Sequence, residues 1–180
     1  KHDLLPVLSL TILGGGVGAV LATTLPTSLL KPLLLGTMIG VAFLILAFPS
    51  VVAPPEGTPT HNIKHRPRAW VALFIAGVYG GFVQAGVGFL LITALAGTLR
   101  YDLVKSNALK LLCTFAFTGL ALIIFIIDDL VNWVPGLVLS IGMMAGATIA
   151  VKVSLNISQK AMKWFLFVMT VVASAAAMFL

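Results

Sequence analysis

"GVYGGFVQAGVGFLLITAL", residues 77–95, places five glycines in an apolar run that carries no charge from Ala69 to Leu99. Glycine costs a helix about 1 kcal/mol relative to alanine, so its concentration here needs a physical reason. At about 1.5 Å per residue, the run would make a helix of roughly 46 Å, against a hydrocarbon core of ~30 Å, while two full crossings take about 40 residues. It is too long for one pass and too short for two. A re-entrant hairpin of two half-helices fits, with Gly77, Gly80, Gly81, Gly86 and Gly88 letting the chain unwind at mid-membrane. Such unwinding is tolerated only where the freed backbone groups face protein or a watery cavity. A tilted, broken single span is the alternative.

Composition sets the class around this stretch. Hydrophobic residues make up 60% of the 180, charged residues 9%, and mean hydropathy is +1.14, against an apolar share of about 45–50% in soluble domains. The chain reads as an all-α integral membrane protein, a polytopic helical bundle. A spanning helix takes about 20 apolar residues, and charge-poor runs of that order lie at 4–25, 33–53, 103–127, 130–151 and 164–180. The formal charge of +6 does not point to nucleic acid, because the basic residues sit at the ends of apolar runs and no basic stripe interleaves with aromatics. No charged n-region precedes Leu4 and no small-residue cleavage site closes the first run, so no removable signal peptide is expected. Cys113 is the sole cysteine and excludes an internal disulfide.

Three parts follow in order. Residues 1–53 hold two transmembrane helices, 54–68 form a polar, proline-rich linker, and 69–180 form a second half with the glycine-rich segment 69–99 and helices at 103–127, 130–151 and 159–180. Lys and Arg accumulate in short cytoplasmic loops, which separates the two readings of 69–99. A single crossing divides the basic residues indecisively. A hairpin leaves Lys31 alone on one side, with Asp128 and Asp129, and gathers every other Lys and Arg on the opposite side. The hairpin is preferred on this ground. The basic loops 54–68, 100–105 and 152–163 then face the cytoplasm, while Trp70, Tyr101, Trp133 and Trp164 are expected as interface anchors.

The chain also echoes itself. Gly14, Gly18, Ala19 and Ala22 match Gly142, Gly146, Ala147 and Ala150 at one constant offset, and Pro6 with Pro135 and Lys31 with Lys160 follow one residue further on. Small residues four apart are also common wherever membrane helices pack. Read as a duplication, the echo makes two related, inverted repeats of a hairpin plus three spans, the plan by which many secondary transporters surround a midplane site. The first hairpin and first long span would then precede Lys1, and the chain is expected to be part of a longer protein.

Little in the chain can carry covalent chemistry. His2, His61 and His65 lie outside the apolar runs and no Asp or Glu lies deep within one, so neither a haem or metal ligand set nor a carboxylate proton relay is available in the spans. No cofactor, metal site or enzymatic constellation is expected. A polar set remains, Gln84 together with "KSNALKLLCT", residues 105–114. Gln84 stands at the apex of the hairpin, where its amide could hydrogen-bond an anion or serve a helix contact. Asn107, Lys110 and Thr114 approach one face of a helix, with Lys110 either lining a pore or snorkelling to the interface as an orienting charge. Half-helix N-termini favour anions. The candidate substrate-binding residues are Gln84, Gly86, Gly88, Asn107, Lys110 and Thr114.

The glycine-rich stretch, "DLVKSNALK" at 102–110 and "PGLVLSIGMMAGATIAVKVSLNISQKAMKWFLFVMT" at 135–170, in this order, resemble the TauE/SafE sulfite exporter family of bacterial membrane permeases. Residues 4–50 look like the end of that family's first repeat. The resemblance implies about eight apolar segments in two halves and movement of sulfite, a sulfonate or a related sulfur-containing anion across the cytoplasmic membrane. The opening segments of the first half are missing from the pattern. Partners implied are membrane lipid and a small anionic substrate, with a homo-oligomer or larger membrane complex as further possibilities. The alternative function is a non-transporting structural subunit that packs within a larger assembly through its small-residue faces.

Overall fold

The computed structural model describes residues 3–47, 61, 63 and 66–154, and beyond these 161, 164–165, 167–172 and 175. Its elements are all helical among the described residues. Helix α1 spans Leu4–Thr24 and α2 spans Thr27–Ala47. Pro26 parts them, since a proline in mid-helix would remove an amide donor and clash with the preceding turn. Helix α3, Pro67–Phe82, begins with proline at its first position, where the missing N–H is no loss. A short helix α4, Val87–Ile92, runs on into a π-helical turn, Thr93–Thr98. Helix α5, Leu103–Ile127, is capped by Asp102, whose carboxylate accepts from the Lys105 amide at 2.7 Å. Helix α6 spans Trp133–Ser154. Among the described residues, three stretches, Leu4–Thr24, Val104–Ile127 and Trp133–Val151, are long and apolar enough to cross a bilayer, and the all-α membrane class holds. Residues 48–60, most of the C-terminal helix read at 159–180 and part of the linker read at 54–68 lie outside the described residues.

Helices α1, α3 and α5 run parallel. Thr11 meets Gly77 and Gly15 meets Gly81, while Phe117 packs against Gly15 and Gly80. The seam between α1 and α3 is made of glycine backbone. A Cβ on Gly77 would stand 2.5 Å from the Thr11 carbonyl oxygen, and one on Gly14, Gly18 or Gly81 would overlap the carbonyl of Phe74, Val78 or Gly15. Both helices therefore carry glycine pairs four residues apart, the small-residue spacing that lets membrane helices approach closely. This changes the role of three glycines. Gly77, Gly80 and Gly81 do not unwind the chain; they lie inside α3 and admit α1 and the Phe117 ring.

The core gathers where these helices meet α4 and the π-helical turn, with Val7, Leu73, Leu91, Leu95, Leu99, Cys113 and Phe117 fully buried. Tyr101 joins them and is not an interface anchor. Its hydroxyl donates to Asp3 Oδ2 at 2.8 Å, and the Lys105 ammonium lies 3.8 Å from its ring centroid, so both its polar tip and its ring face are occupied inside the fold. Trp70, Trp133 and Trp164 are about half exposed. Ile63, within the stretch read as linker, is fully buried, and its carbonyl accepts from the Trp70 indole at 2.9 Å.

Candidate functional site

The helix that begins at Pro67 stops at Phe82, and four residues, Val83 to Gly86, separate it from α4. Two of them lie in the left-handed region, Gln84 with φ 63° and Gly86 with φ 74°. Glycine enters that region freely, whereas glutamine carries a Cβ that opposes it. Neighbouring groups hold the strained residue in place. The Tyr79 hydroxyl donates to the Ala85 carbonyl at 2.7 Å, the Gln84 amide donates to the Tyr79 carbonyl at 3.2 Å, and Gln84 Nε2 donates to Thr118 Oγ1 at 3.0 Å.

After the turn, α4 and the π-helical segment pack against α3 and α5. Gly88 faces Lys110, with a built Cβ only 3.3 Å from the lysine Cδ. The Leu99 carbonyl accepts from the His61 amide at 2.9 Å, and Arg68 and Arg100 line one cavity. Both ends of the stretch 67–99 therefore meet at the end of the bundle where α1, α3 and α5 begin. Asp128 and Asp129, just past the end of α5, lie at the other end. The turn reaches far along α5: Thr118 stands 15 residues beyond Leu103, about 22 Å at the helical rise of ~1.5 Å per residue.

Four polar residues of α5 lie toward one side of the helix, and Thr118 among them meets this turn. Asn107, Thr114 and Thr118 follow at intervals of seven and four residues, with Lys110 on the adjoining edge. Asn107 is exposed, and Lys110 and Thr114 are half-buried. Of the six residues read from the sequence, Gln84 and Gly86 form the turn, Gly88 and Lys110 touch, and Asn107 and Thr114 extend the stripe without a direct contact to the turn. Thr118 was missed. The signal for it was present, since it continues the Asn107 and Thr114 spacing by one more helical step. Tyr79 was missed as well, and its hydrogen bond to Ala85 belongs to a turn geometry that sequence does not spell out.

The arrangement offers hydrogen-bond donors and one ammonium group beside a break in a helix, without a nucleophile paired to a base. Among the described residues there is no cluster of metal-ligating side chains. The profile of the family described as "Sulfite exporter TauE/SafE" matches residues 2–177. The chain belongs to the TauE/SafE sulfite exporter family. Members of this family are permeases and not enzymes. The chain is 25% identical over 169 residues to the "probable membrane transporter protein YfcA" of Escherichia coli K12, and equally to that of its O6:H1 and O157:H7 strains. These matches cover 93% of this chain and 61% of each relative, so the chain spans about three fifths of the length of the curated relatives it matches. No solved structure matches it. Within the TauE/SafE frame, the broken helix and the α5 stripe are the features on which a solute path can be argued.

Proposed function

We propose that this chain forms part of a secondary permease that moves a small sulfur-containing oxyanion, sulfite or a sulfonate, across the cytoplasmic membrane. The carrying observation is the turn at 83–86, where Gln84 leaves a broken helix and reaches Thr118, while Gly88 just past the turn packs against Lys110. In this reading, 69–99 is a re-entrant segment whose base faces the cytoplasm and whose tip lies inside the bilayer. A tip about 22 Å along α5 falls within a hydrocarbon core of ~30 Å. The basic loops around 54–68, 100–105 and 152–163 are cytoplasmic, by the excess of Lys and Arg on that side.

Gln84, Gly86, Gly88, Asn107, Lys110 and Thr114, joined by Thr118, line the path. An oxyanion passing there meets amide and hydroxyl donors and one ammonium group, with no carboxylate among these residues to repel it. Glycine at 86 and 88 lets the solute approach the main chain. The inverted two-repeat plan assigns α6 as the copy of α1. Its Gly142 and Gly146, which meet nothing within 4 Å, then seat the first repeat's counterpart of α3, as Gly14 and Gly18 seat Gly77 and Gly81.

The test is flux. Proteoliposomes holding the full-length protein, with insertion checked by protease protection, should accumulate or release labelled sulfite or a labelled sulfonate faster than empty vesicles. Gln84→Ala and Lys110→Met should each slow it. Absence of flux for every such anion, or isolation of the chain only as a fixed component of a larger complex, would overturn the proposal in favour of a structural subunit.

A further inference from the structure

The base of the same segment carries a second feature, independent of what is transported. Where the His61 amide meets the Leu99 carbonyl, a cavity of about 460 Å³ opens, lined by His61, Arg66, Arg68, Gly97, Thr98 and Arg100. Three arginines share this hollow and, among the described residues, no carboxylate lines it. Like charges gathered without a counter-charge repel one another, unless an anion neutralises them.

Local geometry reinforces the positive field. Arg66 Nη2 lies 3.1 Å from His61 Nε2. A guanidinium only donates, so that ring nitrogen accepts and the imidazole is neutral, with its proton on Nδ1. Desolvation first, and then the charges of Arg66 and Arg100, hold His61 below the ordinary histidine range. Helix α3 starts between Arg66 and Arg68, which adds the positive end of its dipole. Arg100 adopts φ 57°, a left-handed conformation that costs a residue with a Cβ. The Thr98 hydroxyl is spent on the Ala94 carbonyl, and a Cβ on Gly97 would meet nothing within 4 Å, so the hollow is open there.

We infer that this cavity binds a phosphate-class oxyanion, presented by the headgroup of an anionic phospholipid. Guanidinium groups pair with phosphate oxygens in bidentate fashion. The lipid source follows from position. The apolar run starts at Ala69 and ends at Leu99, so the cavity, lined by Arg68 and Arg100, stands at the boundary of the apolar segment, where the half-exposed Trp70 follows two residues after Arg68. Headgroup phosphates sit at that level, and basic hollows between membrane helices suit them.

The test uses the full-length protein in nanodiscs of phosphatidylcholine, with or without phosphatidylglycerol, or with inorganic phosphate added to the phosphatidylcholine discs. The melting midpoint and the lipids retained in native mass spectrometry are read for the wild type, Arg66→Gln, Arg68→Gln, Arg100→Gln and Arg100→Lys. Phosphatidylglycerol should raise the midpoint and be retained, the effect should weaken in salt, and each glutamine variant should lose about tenfold in affinity while Arg100→Lys loses less. If Arg100→Gln does not insert, Arg68→Gln on α3 carries the same comparison. A rise with inorganic phosphate, lost in the same variants, supports the oxyanion site and overturns its assignment to lipid. Equal responses of wild type and variants to both additions would overturn the site itself. Sulfite flux is not read in this experiment, so its outcome stands apart from that of the transport proposal.

Discussion

Gly77→Ala separates the packing role of these glycines from their cost in helix propensity. An alanine Cβ there would stand 2.5 Å from the Thr11 carbonyl oxygen, where ordinary contact begins at 3.4 Å. The atom it meets is backbone, so no side-chain rotation on α1 can relieve the overlap. The two helices must part by about 0.9 Å, and a gap of roughly 0.5–1 Å already forfeits a quarter to a half of the dispersion attraction of the atoms beside it. Overpacking of this kind costs about 1–3 kcal/mol. Gly119 on α5 provides the comparison, because a Cβ there meets nothing within 4 Å and alanine gains up to about 1 kcal/mol in helix propensity. Gly77→Ala gains the same propensity inside α3, so the two variants should differ by the overpacking cost alone, about 1–3 kcal/mol. Thermal unfolding of the full-length protein in nanodiscs measures the difference. Maleimide labelling at Cys113, which is fully buried against this seam, gives a second readout and should be faster in Gly77→Ala. Coincident melting curves and equal protection of Cys113 would refute the tight seam.

Removing either end of the Gln84 to Thr118 hydrogen bond, by Gln84→Ala or Thr118→Val, should cost about 0.5–1.5 kcal/mol in stability. Flux should fall further in Gln84→Ala, and equal transport by all three proteins would take Gln84 out of the path. Lys110→Met keeps an unbranched stem against Gly88 but removes the charge; anion flux should drop by about tenfold, the equivalent of ~1.4 kcal/mol, with the melting midpoint unchanged. Tyr101→Phe leaves Asp3 Oδ2 without its partner and should cost about 1–3 kcal/mol. Burial first, and the bond to Asp3 second, raise the Tyr101 hydroxyl above its ordinary value of 10.0. A proton held more tightly in the folded state stabilises the fold fully below about pH 10 and is lost as pH rises beyond it. Melting curves taken across that range should show the wild-type advantage over Tyr101→Phe shrinking on the alkaline side.

The spanning helices were legible because length and apolarity alone decide them, and α1, α5 and α6 coincide closely with charge-poor runs in the sequence. The glycines were harder. In an apolar run, a glycine that packs and a glycine that turns look alike, and only the i, i+4 pairing of Gly14 with Gly18 and of Gly77 with Gly81 hinted at a seam. Tyr101, next to Arg100 at the end of an apolar run, has the pattern of an interface anchor. Its actual partner, Asp3, lies 98 residues away in sequence, and periodicity carries no information about such a pairing. Thr118 could have been found by extending the α5 stripe. The positive φ of Gln84 could not, because propensity places a glycine there before a glutamine.

That strained glutamine ties the two kinds of glycine together. A left-handed residue with a Cβ costs about 1–3 kcal/mol and persists only where its surroundings determine it. Here those surroundings are the Tyr79 hydroxyl from the last turn of α3 and Thr118 from α5, and their relative position is set by the glycine seam and by Phe117 wedged between Gly15 and Gly80. A looser seam would let α3 move relative to α5 and break the bond to Thr118. The break in the helix would then lose the contact that fixes its side chain. The packing glycines thus act on the turn at a distance of one or two helical turns: Gly77, Gly80 and Gly81 hold the frame rigid, so that Gly86 and Gln84 can interrupt it at one defined place.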